Sequence, residues 1–181
     1  MSSDIKLPAA ACNHSTSQPD SYCPAIQQLL DEHVSLRKKL RILIQDAGLL
    51  FQSERSAQDP DTLRTLLTLF MNEQTFKLQL DLHAEKEERG LFTLLKEEVD
   101  PDFPPVHVME REHEEAKQLL AQFEELAASP ASNPKQAAMH LMDACQALLL
   151  HFTKEETVLF PFAEHTLTRE QKQQLFCLFH A

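Results

Sequence analysis

Residues 83–92 read His-Ala-Glu-Lys-Glu-Glu-Arg-Gly-Leu-Phe, and residues 151–160 read His-Phe-Thr-Lys-Glu-Glu-Thr-Val-Leu-Phe. His, Lys, two Glu, Leu and Phe recur at the same offsets. A second echo precedes each copy: Glu32-His33 with Arg37 and Leu40, then Glu112-His113 with Lys117 and Leu120. Residues four apart on a helix lie one turn apart on one face, so His83 with Glu87, and His151 with Glu155, can each aim an imidazole and a carboxylate at one point. If both pairs and the single His33 and His113 converge, they supply four nitrogens and two carboxylates. That donor set suits iron, manganese or zinc.

The stretches around these residues have helical periodicity. The first helix should begin near Pro24, a favoured first-turn residue, and carry Ile26, Leu29, Leu30, His33, Leu36, Leu40, Leu43, Ile44 and Ala47 on one stripe; the segment from Gly48 to Ala57 should end it. Asp59-Pro60-Asp61 should cap a second helix running to about Glu98, whose stripe Leu66, Leu69, Phe70, Phe76 and Leu80 leads into His83 and Glu87. Pro101, Pro104 and Pro105 mark a turn. A third helix then places Val106, Met109, His113, Ala116, Leu120 and Phe123 in register. Asn133 and Pro134 open a fourth, with Ala138, Leu141, Ala144, Leu148, His151, Glu155, Leu159 and Phe162 aligned. Thr168 with Gln171 forms a capping box for a short last helix to about Phe179.

Short connections between long helices predict an all-α fold: an up-down-up-down antiparallel four-helix bundle with a short C-terminal helix. Residues 1–22, rich in Ser, Pro, Ala and Asn, form a loose tail, and residues 23–181 the bundle domain. Counting along the helices at roughly 1.5 Å per residue sets all six donors at one depth, about 14–22 Å from the same end. A lone His on an apolar stripe is usually a hydrogen-bonded core residue. Six donor side chains sharing one layer favour a metal centre, because buried carboxylates need partners or metal.

Composition narrows the partners. Two Gly, one Tyr and no Trp fit a helical chain, and a formal charge of −11 disfavours nucleic acid and anionic membrane surfaces. No apolar run reaches the length of about 18 residues needed for a transmembrane helix. The segment from Leu7 to Cys12 faintly resembles a lipoprotein cleavage box, but lacks the basic start and apolar stretch of a signal peptide. Four Cys without framework spacing point to reduced thiols and a cytoplasmic protein.

With these residues in view, the chain resembles the hemerythrin-like, or HHE cation-binding, family over about residues 24–165. The resemblance implies a four-helix bundle around a non-haem di-iron centre, with His33, His83, Glu87, His113, His151 and Glu155 as metal ligands. Glu87 and Glu155 would bridge two irons that also share an oxo or hydroxo bridge. Leu159-Phe160-Pro161 is also typical of the family. The oxygen carriers of the family resemble a five-His pattern, with an H-x-x-x-H pair on the third helix. Here Met109 and Lys117 flank His113 at four-residue spacing, which leaves one iron with more open coordination. The implied function is binding or sensing of O2, NO or a related small oxidant such as peroxide. The alternative is a di-iron enzyme of NO or peroxide detoxification, or of iron-sulfur cluster repair. The sequence leaves enzymatic activity and oligomeric state open.

The remaining candidates read as structural. Glu32, Glu88, Glu112 and Glu156 turn off the apolar stripes and should be solvated. His107 and His165 lie away from the donor layer, and His14 and His180 in the tails. Cys145 and Cys177 should be core thiols, and Cys12 and Cys23 tail thiols without a reason for a lowered pKa. Asn72 and His140 each lie eleven residues before a donor His; either each turns slightly outward and meets water, or the two form a buried hydrogen-bonded pair that fixes the register of the second and fourth helices.

Overall fold

The structure, a computed structural model, describes residues 19, 21–129 and 133–180. Among them every regular element is helical. The helices are α1 (Pro24–Gln52), α2 (Pro60–Lys86), α3 (Phe92–Glu98), α4 (Pro104–Ala128), α5 (Pro134–Lys154), α6 (Phe160–Thr166) and α7 (Arg169–Leu178). Two π-helical turns, Glu87–Leu91 and Glu155–Leu159, join α2 to α3 and α5 to α6 without a break. No described helix is long and apolar enough to cross a membrane.

All four long helices start on a proline, whose fixed φ suits the first turn and whose missing N–H is not needed there. Asp59 caps α2 by accepting from the Asp61 and Thr62 amides, and Asn133 caps α5 by accepting from the Gln136 amide. Thr168 and Gln171 form the expected reciprocal capping box of α7. One boundary differs: α1 continues through Gly48 to Gln52. Leu50 is buried in the core, and burying a leucine outweighs the roughly 1 kcal/mol that an interior glycine costs a helix.

Two apolar clusters fill the interior. One holds Leu36, Leu40 and Leu43 of α1, Leu69, Phe76 and Leu80 of α2, Leu120 and Phe123 of α4, and Leu141, Leu148 and Phe152 of α5. The other holds Ile26 and Leu29, then Leu91 and Leu95, then Val106 and Met109, then Leu159, Phe160 and Leu175. His33, His83, Glu87, His113, His151 and Glu155, all buried, lie in sequence at the crossing from one cluster to the other on every long helix. The chain thus forms a helical bundle whose core is interrupted by one polar layer. Helix α7 closes over the first π turn, where Gly90 leaves room: a Cβ there would meet Leu175 Cδ1 at 2.8 Å.

The first cluster contains one carboxyl. Glu73 of α2 is fully buried; its Oε1 has no hydrogen-bond partner and its Oε2 accepts from Gln74 Nε2 at 3.0 Å. Burial pushes its carboxyl up to about 7, with Gln74 pulling the other way and Glu124 adding to the rise. Asn72, by contrast, is exposed, so of the two readings the outward one holds for Asn72 and the Asn72–His140 pair does not form; His140 Nδ1 is buried without a partner. Cys145 is buried as expected and its thiol is pushed up to about 12 by burial and by Glu73, while Cys177 is exposed, not a core thiol.

Candidate metal centre

The six expected donors meet in one layer. His83 and Glu87 arrive together because they are one turn apart at the end of α2, and His151 and Glu155 do the same at the end of α5. Their Nε2-to-carboxylate distances are 3.2 Å in both cases. The π turns begin at Glu87 and Glu155, and turns of this kind inside α-helices frequently mark functional sites. His33 from α1 brings its Nε2 within 2.9 Å of His83 Nε2, and His113 from α4 does the same with His151.

The carboxylates tie the two imidazole pairs together. Glu87 places Oε1 by His83 and Oε2 3.5 Å from His113. Glu155 places Oε1 by His151 and Oε2 3.3 Å from His33. Two donor groups result, His33, His83, Glu87, Glu155 and Glu87, His113, His151, Glu155, each with its ligand atoms within 4.8 Å of one another. All four oxygens of Glu87 and Glu155 are buried and none has a hydrogen-bond partner. Leaving such groups unsatisfied costs about 1–3 kcal/mol each, and more when charged. A cation between facing nitrogens and orphaned oxygens removes that cost, so the donor set fits a metal by its chemistry.

The electrostatics favour positive charge at the same place. Burial opposes a proton on His83, but the carboxylates of Glu87, Glu32 and Glu155 outweigh it and lift the imidazole to about 10. His151 is likewise lifted to about 9 against its burial, by Glu155, Glu87 and Glu112. His33 is raised in the same sense, against burial, by Glu155 and Glu156. Glu87 is fully buried, yet His83 and His113 hold its carboxyl well below the usual range.

The four glutamates expected to be solvated are instead part of the site. Each accepts from the outer nitrogen of one donor imidazole: Glu156 from His33 Nδ1 at 2.9 Å, Glu32 from His83 at 2.9 Å, Glu88 from His113 at 2.8 Å and Glu112 from His151 at 3.2 Å. A proton on Nδ1 leaves the Nε2 lone pair free to face the layer. Each glutamate also meets a cation: Arg37 on Glu156, Lys86 on Glu32, Lys117 on Glu88 and Lys154 on Glu112. Burial raises the Glu32 carboxyl, but His83 and Lys86 prevail and bring it to about 2. The signal was present in sequence, since Glu, His and cation recur together in both halves of the repeat.

Other histidines stay outside. His107 faces Asp102 and Glu110, His165 Nδ1 lies 2.6 Å from the Pro161 carbonyl, and His180 lies at the exposed end of α7. Cys23 caps α1, and burial and Glu164 raise its thiol, which agrees with an unactivated side chain. Cys12 and His14 lie outside the described residues.

The family model of the hemerythrin HHE cation-binding domain matches residues 25–163. The chain belongs to the hemerythrin HHE family. No curated protein and no solved structure matches it. The match spans α1 to α6 and contains every donor of the layer, so this HHE domain and its buried His/Glu cluster mark the chain as a metal-cation binder. Helix α7 lies beyond the matched residues.

Proposed function

We propose that this HHE domain holds two iron ions and binds or senses a small oxidant: O2, NO or peroxide. One ion would take His33 and His83, the other His113 and His151, with Glu87 and Glu155 bridging both. The observation that carries this reading is that each of these carboxylates offers one oxygen to each imidazole pair, and that all four oxygens are buried without hydrogen bonds. Mixed imidazole and carboxylate donors suit iron. When bound, iron supplies a reversible change of oxidation state and a position for an exogenous ligand. The protein supplies a layer shielded from water by Phe92, Phe152 and Phe160 and an outer carboxylate for every imidazole.

The same reading extends to the scaffold. The four long helices would run alternately up and down, as supported by the order in which each passes between the two apolar clusters. Residues 23–181 would form one domain; the Cys23 amide donates to Glu164 Oε2 at 2.7 Å, which ties the start of α1 to α6.

Metal analysis of protein purified without oxygen, combined with an absorption spectrum before and after O2 or NO, tests the function. Two irons per chain and a ligand-dependent spectrum are expected. Zinc in the site, or iron with a spectrum indifferent to both gases, would refute it. The double variant Glu87→Ala, Glu155→Ala should lose most bound iron; retention of two irons would refute the ligand assignment.

A further inference from the structure

Helix α2 is apolar on two faces. Leu66, Leu69, Phe76 and Leu80 turn into the first apolar cluster. Leu63, Leu67, Met71, Leu78 and Leu82 turn the other way and are 46%, 59%, 63%, 68% and 62% exposed. At roughly 3.6 residues per turn these five lie within an arc of about 100°, opposite the buried face, on a stripe about 28 Å long. Soluble proteins expose leucines singly, whereas a continuous stripe marks a contact surface. Leu178 of α7, also exposed, lines the same surface depression as Leu82 and extends the face at one end.

The stripe is symmetric along the helix. Leu63 and Leu82 lie equally far from the midpoint between Asn72 and Glu73, and so do Leu67 and Leu78. The same holds for Arg64 and Asp81, both exposed and both beside the stripe. A second copy of α2 laid antiparallel across that midpoint therefore meets Leu63 with Leu82, Leu67 with Leu78 and Arg64 with Asp81, each of them twice, as a two-fold axis requires. The two Met71 side chains pack beside the axis, where an unbranched thioether adapts to its own copy. Arg64 holds Asp61 at 3.5 Å within the chain but is 76% exposed, so its guanidinium can reach across. A parallel pairing would instead set Arg64 on Arg64 and Asp81 on Asp81. A lipid surface calls for basic residues along such a stripe, whereas Asp61, Asp81 and Glu85 border this one.

We propose that α2 is the contact face of a two-fold symmetric dimer, in which a second copy of this chain packs its own stripe of Leu63, Leu67, Met71, Leu78 and Leu82 antiparallel against the first. The leucines supply the apolar area. The two Arg64–Asp81 pairs fix direction and register, since exposed ion pairs contribute more to specificity than to affinity.

The test is sedimentation equilibrium of the full-length protein at micromolar concentrations, with circular dichroism on every variant. Wild-type protein should be a dimer. Leu67→Glu and Leu78→Glu each bring two charges against leucine, and should raise the dissociation constant about tenfold or more with helicity unchanged, because both positions are exposed in the single chain. Arg64→Asp or Asp81→Arg alone should weaken the dimer several-fold, and the double variant Arg64→Asp, Asp81→Arg should restore it. A wild-type monomer overturns the proposal, as does a dimer indifferent to Leu67→Glu and Leu78→Glu. A double charge swap that fails to restore the dimer overturns the antiparallel register. Capture of a wild-type monomer by vesicles of phosphatidylcholine and phosphatidylserine would give the stripe to a lipid surface instead.

Discussion

Replacing Glu73 by Gln should make the protein more stable at alkaline pH and leave it almost unchanged at acid pH. The carboxyl is fully buried in an apolar cluster and is raised from 4.5 to about 7. Below about pH 4.5 it carries its proton in both the folded and the unfolded chain and contributes nothing to the pH dependence. Between the two values the unfolded chain releases the proton while the folded protein retains it, so stability falls as pH rises, and above about 7 the full loss is in place. At about 1.4 kcal/mol per unit, the rise from 4.5 to about 7 corresponds to roughly 3 kcal/mol. Gln has the shape of the protonated acid and cannot ionise. Glu73→Gln should therefore gain less than about 1 kcal/mol near pH 5 and about 3 kcal/mol near pH 8. For a chain of this size the alkaline gain corresponds to roughly 6–12 °C in Tm. Urea unfolding of chelator-treated protein, followed by circular dichroism across that range, measures both ends. Histidine and outer-glutamate titrations are common to the two proteins and cancel in the difference. A pH-independent difference, or a variant less stable than wild type near pH 8, would refute the account.

Three further outcomes follow from the site and its cover. Gly90→Val, which copies Val158 of the second repeat, should cost about 1–3 kcal/mol through overpacking against Leu175 and Phe179, and should release α7 to protease; an equally stable, equally protected variant would show that the seat adapts. Glu32→Ala removes the acceptor of His83 Nδ1 and should weaken metal binding about 10–100-fold by chelator competition, with Glu32→Gln recovering part of the loss; unchanged affinity would make the contact incidental. Metal at about 100 times its Kd should add about 2.7 kcal/mol to the stability of a protein that binds it only when folded, so equal melting with and without iron would deny the layer a metal.

The donor layer was legible because repetition and depth act on the same residues. His33, His83, Glu87, His113, His151 and Glu155 could be aligned by counting turns, and the bundle brings them together. The π turns were not legible, since a shift of one hydrogen-bond register leaves no mark in the pattern of apolar residues. Asn72 turns outward for a geometric reason. Among the buried positions of α2 and the π turn after it, Leu66, Leu69, Glu73, Phe76, Leu80, His83 and Glu87 follow spacings of three and four in alternation. That is the seven-residue period of helices that stay in contact, and over three turns it departs from the straight-helix count that selected Asn72. Glu32, Glu88, Glu112 and Glu156 depart from the solvated expectation because the pattern of one helix does not show what lies across its seams. Positions flanking a buried stripe face the seam with the next helix, where they can reach a partner across it.

Those four seams close on themselves. Glu32 of α1 reaches His83 of α2, Glu88 after α2 reaches His113 of α4, Glu112 of α4 reaches His151 of α5, and Glu156 after α5 returns to His33 of α1. Such a circuit behaves as a hoop around the layer, with each imidazole as a spoke from rim to hub. No single helix can swing outward without breaking links to two neighbours and withdrawing its own spoke. A change at the hub therefore has a hydrogen-bonded route to all four long helices of the bundle.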